Sequence, residues 1–265
     1  MSRSKNRYLF LLSSIILLGG VVSAQTPAAI EKELVGYLDT MSKSGTYGGE
    51  YDDAKLTAAS DGLKKKLVRY AGRADVLKYS FPKLKETMFI ATSKDGKFRI
   101  YSWDLESGGT MHDYDRVIQF TGADGKVKAW FDGEGEYDGG GAFYTDVFQV
   151  ASTGGPIYLL ASTSRASSSL TGAALRAMRI VGNGLDTKAK VIKTGSGITN
   201  DVYFAYDFFS VVDRPERPIR LFTFNEVRKE FKFPIVIEDD ETPQGRVTNK
   251  FITYRFNGTH FVKVS

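Results

Sequence analysis

Residues 89–103 read Phe89-Ile90-Ala91-Thr92-Ser93-Lys94-Asp95-Gly96-Lys97-Phe98-Arg99-Ile100-Tyr101-Ser102-Trp103. Two runs rich in aromatic and β-branched residues flank a short polar segment with Asp95-Gly96 inside it. Such a dipeptide supplies the positive φ that a tight hairpin turn demands. The stretch therefore predicts two antiparallel strands, and from about Leu77 onward the rest of the chain follows the same period of two.

The same chemistry recurs downstream. Val117-Ile118-Gln119-Phe120 and Val127-Lys128-Ala129-Trp130-Phe131 flank Asp124-Gly125, 29 residues after Asp95-Gly96. Each turn leads into a strand bearing a Trp, Trp103 or Trp130. Two copies are too few for a propeller and fit repeated hairpins in a meander. Further strands are predicted over 143–151, 157–162, 190–193, 202–207, 219–225, 230–238, 250–256 and 261–264. The last two are joined by Asn257-Gly258, a strong hairpin signal. The segment Leu170–Val181 reads in two ways. It is a helix capped by Ser167 or Ser168 with Leu170, Ala174, Leu175 and Met178 on its buried face, or it is a strand. The run 162–169 between two apolar stretches reads as a polar loop.

Before residue 77 the period is helical. Thr26-Pro27 places an N-cap beside a proline at the first helical position, and Ile30, Leu34, Leu38 and Met41 follow before Gly45. A second helix is expected over 53–71, with Leu56, Leu63, Leu67 and Tyr70 on one face and Gly72 at its end. Its other face carries Lys64, Lys65, Lys66 and Arg69, with Arg73 just beyond, and reads as a solvated face, since no Trp or Phe there would insert into lipid. The expected fold class is α+β, mainly antiparallel β-sheet built as a meander of hairpins and preceded by two N-terminal helices. A single domain is expected over 25–265, with a helical layer over 25–73 and a β-rich body over 77–265.

Residues 1–24 are expected to be a signal peptide. Arg3, Lys5 and Arg7 precede an apolar run from Tyr8 to Val22, and Val22-Ser23-Ala24 offers small residues for cleavage. The run Leu9–Val22 is short for a membrane span, which needs about 20 residues. No stable membrane insertion is expected once the leader is removed, and the destination is the periplasm or the extracellular space. Cleavage would leave 241 of the 265 residues. The whole chain has 36 basic and 31 acidic residues and a net charge of +5; the three basic residues of the acid-free leader bring residues 25–265 to +2. So small an excess does not predict a nucleic-acid partner. The chain has no cysteine, which removes disulfides, thiolate catalysis and Cys-based metal sites.

Candidate chemistry gathers in Asp104-Leu105-Glu106-Ser107-Gly108-Gly109-Thr110-Met111-His112-Asp113-Tyr114-Asp115, which joins two predicted strands. Asp104, Glu106, His112, Asp113 and Asp115 could serve acid–base chemistry or face a ligand, with Trp103 and Trp130 as candidate stacking surfaces. The same residue types also build ordinary turns, and large aromatics such as Tyr101, Trp103, Trp130, Tyr137, Phe143 and Tyr144 also build cores. The spacing matches no metal motif, so no metal ligand set and no cofactor is assigned. The glycine-rich segment 132–141 lacks the Asp-x-Asp-x-Asp-Gly order of a calcium loop and is not followed by a helix and Lys as a phosphate cradle would be. Ser80-Phe81-Pro82-Lys83 and Lys193-Thr194-Gly195 match two of the three short elements of penicillin-binding enzymes, but the Ser-x-Asn element is missing. Asp213, Arg214, Glu216 and Arg217 form either an ion-pair network or an anion site. The functional expectation is a non-catalytic protein, in the cell envelope or secreted, that binds a protein or glycan partner. The alternative is an extracytoplasmic hydrolase dependent on carboxylates or a metal.

Overall fold

The computed structural model describes residues 25–47, 50–131 and 141–264. The expected leader and all but Gly141 of the expected glycine-rich loop at 132–141 lie outside the described residues. Three helices come first: α1 (Pro27–Ser44), α2 (Asp53–Ala71) and the short α3 (Ala74–Lys78). Thr26 caps α1 by accepting from the Ala29 amide at 3.3 Å, and Asp52 caps α2 by accepting from the Lys55 amide at 3.0 Å. The apolar stripes of α1 and α2, Ile30, Leu34, Leu38 and Met41 against Leu56, Leu63 and Leu67, are almost fully buried.

The strands are β1 (Phe89–Thr92), β2 (Phe98–Asp104), β3 (Tyr114–Thr121), β4 (Val127–Trp130), β5 (Phe143–Val150), β6 (Ile157–Arg165), β7 (Leu170–Val181), β8 (Gly184–Asp186), β9 (Ile192–Thr194), β10 (Gly197–Thr199), β11 (Asp201–Asp207), β12 (Thr223–Asn225), β13 (Glu230–Ile237), β14 (Arg246–Phe256) and β15 (Phe261–Val264). The first sheet is the meander β1-β2-β3-β4, opened by the 89–103 hairpin in the register Phe89↔Ser102. The second has the order β11-β7-β6-β5, with β8 folded back on β7. The third has the order β10-β9-β15-β14-β13-β12. All pairs are antiparallel except β15 with β9, which is parallel. The meander is thus interrupted once, because β9 and β10 leave the second sheet for the third before β11 returns.

Three apolar cores stack these parts into four layers. The helices pack on one face of the first sheet through Tyr101, Trp103 and Val117. Its other face, Phe98, Ile100, Ile118 and Phe120, meets Tyr144, Val147, Tyr158, Leu160 and Met178 of the second sheet. The far side of the second sheet, Ile157, Leu159, Ala161, Ala173, Leu175 and Ala177, packs on Phe231, Phe233, Tyr254 and Phe261 of the third. Side chains alternate across a strand, so β2 and β6 serve two cores each.

This layering decides Leu170–Val181, which is a 12-residue strand and not a helix. Ala173, Leu175 and Ala177 enter one core while Met178 enters the other, an arrangement a one-sided helical stripe would not satisfy. Within the expected polar loop 162–169, residues up to Arg165 continue β6. Of the expected strand at 219–225, Thr223–Asn225 alone is paired, and the preceding Ile219, Leu221 and Phe222 are buried without pairing. Three cations of the basic face around α2 are neutralised: Lys64 by Asp115 at 2.7 Å, Lys66 by Glu33 at 2.5 Å, and Arg73 by Asp75 at 2.6 Å. Among the described residues no helix is long and apolar enough to cross a membrane.

Candidate functional site

The connection between β2 and β3 is sorted by strand parity. Trp103 and Asp115 are register partners, as are Asp104 and Tyr114. The first pair faces the helices and the second faces the opposite way. Trp103 is fully buried, and Asp115 is held at 2.7 Å from Lys64, whose ammonium also lies 4.5 Å above the Phe131 ring. Trp130 is half-buried against the core between the first two sheets. Asp113 contributes its carbonyl, which accepts from the Leu105 amide at 2.8 Å. Of the seven expected site residues, Asp104, Glu106 and His112 are brought together. Trp103 and Asp115 serve the helical core, and Trp130 serves the core between the first two sheets.

Asp104 organises the group. Its Oδ1 accepts from the Glu106 amide at 2.9 Å and its Oδ2 lies 2.5 Å from His112 Nδ1. The other ring nitrogen, Nε2, is 3.2 Å from Arg165 Nη1. Arginine can only donate, so Nε2 accepts and the proton of the neutral ring sits on Nδ1, directed at Asp104. The imidazole therefore bridges a carboxylate and a guanidinium. The backbone repeats the link, because the His112 amide donates to the Arg165 carbonyl at 3.2 Å.

Two other segments close the site. α1 ends at Gly45, where the next amide, Thr46, donates to the Glu106 carbonyl at 2.9 Å. The approach is tight enough that a Cβ on Gly45 would lie 2.5 Å from Glu106 Cβ. This contact lays the Tyr47 ring on His112, with centroids 5.6 Å apart, while Tyr114 stacks with the same imidazole at 6.2 Å. On the opposite side β11 pairs with β7 so that Asp207 faces Leu170, and the Phe208 amide donates to the Ser169 carbonyl at 2.7 Å. The Asp207 carboxylate then caps the 3-10 turn Phe208–Val211 through the Phe209 amide at 2.9 Å. Phe208 and Phe209 are thereby carried to the end of β6.

The result is an open depression of about 570 Å³ walled by Tyr47, Phe208 and Phe209, with Thr110, His112, Arg165 and Ser168 as its polar groups. Tyr47 and Phe209 are 60% and 61% exposed, high for large rings. Burial holds the Tyr114 hydroxyl well above the usual phenol range; the Asp104 charge adds to this and Arg165 opposes it. Burial likewise raises Tyr206 to about 12, against the pull of Arg165 and Arg214. The Glu106 carboxyl is raised first by burial and next by Asp104, with His112 opposing. Apart from the imidazole, the Arg165 guanidinium has no hydrogen-bond or carboxylate partner among the described residues, whereas the guanidinium groups of Arg176, Arg214, Arg220, Arg246 and Arg255 each face an acid. No group of three His, Cys, Asp or Glu side chains among the described residues could hold a metal ion.

The sequence left Arg165, Tyr47, Phe208 and Phe209 out of the site. Arg165 is the one charged residue in the serine-rich run 162–169, and Phe208-Phe209 is an apolar pair directly after a strand; both were visible, but neither pointed to His112. Of the expected network of Asp213, Arg214, Glu216 and Arg217, the last three form a local brace, with Arg214 on Glu216 at 2.6 Å and Arg217 donating to the Val212 and Glu216 carbonyls. Ser80 stands between residues of the helical core, while Lys193 belongs to the third sheet, so the two short matches to penicillin-binding enzymes do not form one site. No family model, curated protein or solved structure matches this chain.

Proposed function

We propose that this protein is exported, by way of the leader at residues 1–24, and binds a glycan of the cell envelope or its surroundings without transforming it. One observation carries the reading: an arginine with no acid partner among the described residues lies in an open depression flanked by exposed aromatic rings. Ligand sites combine apolar and aromatic walls with a few placed polar groups, and an exposed ring is a ready platform for the apolar face of a sugar. Export is supported by the basic start, apolar run and small residues of the leader.

The Asp104–His112 pair has the form of a carboxylate–imidazole base, which would favour a hydrolase. A general base needs its outer nitrogen free to take a proton from a nucleophile. Here His112 Nε2 accepts from Arg165, so that nitrogen is already engaged. This supports a positioning role for the imidazole.

The test is retention of the protein on an array of envelope polysaccharides. Truncating an aromatic anchor costs about 2 kcal/mol, roughly thirty-fold in affinity. Tyr47→Ala and Phe209→Ala are each expected to lose binding on that scale while Tyr203→Ala, an exposed ring outside the depression, is not. Equal binding by all three would remove the depression from the account. Hydrolysis products appearing during incubation would favour the enzyme instead.

A further inference from the structure

The geometry points to a sugar that carries a carboxylate, a hexuronic acid residue, as the ligand of the Arg165 depression; this rests on the glycan reading above. The guanidinium is planar and presents its donors as a fork that matches a carboxylate in two parallel hydrogen bonds. His112 Nε2 occupies Nη1 at 3.2 Å, and Nε and Nη2 have no hydrogen-bond partner among the described residues. These are two of the donors a bidentate carboxylate would use.

The arrangement also fixes the arginine in place. The imidazole that holds it is tied through Nδ1 to Asp104 at 2.5 Å, and Asp104 is tied through Oδ1 to the Glu106 amide at 2.9 Å. Asp104 therefore bonds the edge of the ring remote from Arg165, which leaves the guanidinium as the cation nearest the depression. A guanidinium held at one end loses less freedom on binding than a free arginine does. Tyr47 and Phe209, both mostly exposed, supply apolar surface for the ring of the sugar. Thr110 and Ser168 supply hydroxyls at the rim for the sugar hydroxyls. A neutral sugar would use the rings and hydroxyls and leave the arginine fork unanswered, whereas a uronic acid uses all three.

Calorimetric titration of the full-length protein with oligogalacturonate and oligoglucuronate, set against their neutral galactose and glucose counterparts, tests this. The acidic oligosaccharides are expected to bind at least tenfold more tightly than the neutral ones. Arg165→Gln is expected to bring that ratio close to one, and Arg165→Lys, which keeps the charge and loses the fork, to leave an intermediate ratio. Thermal melts of both variants establish that they fold; if Arg165→Gln does not, the lysine variant alone reads the ratio. Equal affinity for acidic and neutral sugars, or a ratio unchanged in either folded variant, overturns the inference and leaves glycan binding standing. Failure of both kinds of sugar to bind the wild-type protein overturns the inference and the glycan reading together.

Discussion

Gly45→Ala and Gly36→Ala, two identical changes nine residues apart in or beside α1, are expected to act in opposite directions. At Gly45 the backbone is extended, φ −77° and ψ 177°, so alanine suffers no conformational strain there. The obstacle is space: the new Cβ would lie 2.5 Å from Glu106 Cβ, 2.8 Å from the Glu106 carbonyl oxygen and 3.0 Å from the Met41 carbonyl oxygen. None of these is the tip of a mobile side chain, so the end of α1 and the β2–β3 connection must separate. Overpacking of this kind costs about 1–3 kcal/mol, and loss of the Thr46–Glu106 backbone hydrogen bond adds about 1 kcal/mol. Alanine recovers about 0.4–1 kcal/mol by restricting the unfolded chain. The net is about 1–3.6 kcal/mol of destabilisation, or a fall of roughly 2–14 °C in Tm at about 2–4 °C per kcal/mol. At Gly36, exposed in the middle of α1, a Cβ meets nothing within 4 Å, and helix propensity favours alanine by about 1 kcal/mol. Calorimetric melts of the two variants beside the wild type decide the matter. If Gly45→Ala melts at or above the wild-type temperature, the α1 end does not seat against Glu106 as described, and the placement of Tyr47 over His112 loses its cause.

Three further outcomes are expected. Glu31, 4% exposed on α1, accepts from the Lys83 and Leu84 amides at 2.8 and 3.0 Å and from the Tyr79 hydroxyl at 2.9 Å; Glu31→Ala leaves these donors without their acceptor, the Leu84 amide in a buried contact and the other two in partly buried ones, and should cost about 2–4 kcal/mol in a denaturant titration, with Glu31→Gln milder because its carbonyl still accepts from both amides. Glu106, whose carboxyl is raised, binds its proton more tightly in the folded state, so its charged form costs stability above the raised pKa and the cost vanishes below the ordinary value of 4.5. Glu106→Gln should therefore raise Tm at neutral pH, with the gain shrinking as the pH falls towards 4; a gain independent of pH would contradict that assignment. Truncation before Lys250 removes most of β14 and all of β15, which separates Phe231 from Tyr254 and Phe261, each 5.1 Å from it; a cooperative melt surviving the truncation would show the third sheet to be dispensable.

The two N-terminal helices were legible because each buries a single stripe, so the 3.6 period survives intact in the sequence. The 89–103 hairpin was legible through its turn, where Gly96 has φ 68°. Strands between two cores were harder. In β2 the residues that break the apolar run are themselves buried and satisfied: Arg99 donates to the Val76 and Tyr79 carbonyls, and Ser102 accepts from the Tyr144 amide. Burial on both faces likewise left β7 without the alternation that would have excluded a helix. Among the site residues, Asp104, Glu106 and His112 were legible as a dense polar connection. Strand parity would also have set Trp103 and Asp115 apart from Asp104, since register partners share a face. Arg165, Phe208 and Phe209 were not legible as parts of the same site, because the pairing of β11 with β7 brings them there, and pairing between distant strands leaves no local pattern.

The depression between Tyr47, His112, Arg165 and Phe209 is the proposed glycan site. The direct measurement is an amide NMR titration of the isotope-labelled protein with oligosaccharides released from the host envelope. Shifts are expected to concentrate at Tyr47, Thr110, His112, Arg165–Ser169 and Phe208–Phe209 and to saturate together with one affinity. Shifts gathered on another surface, such as the exposed Phe251 of β14, or none at saturating sugar, would contradict this.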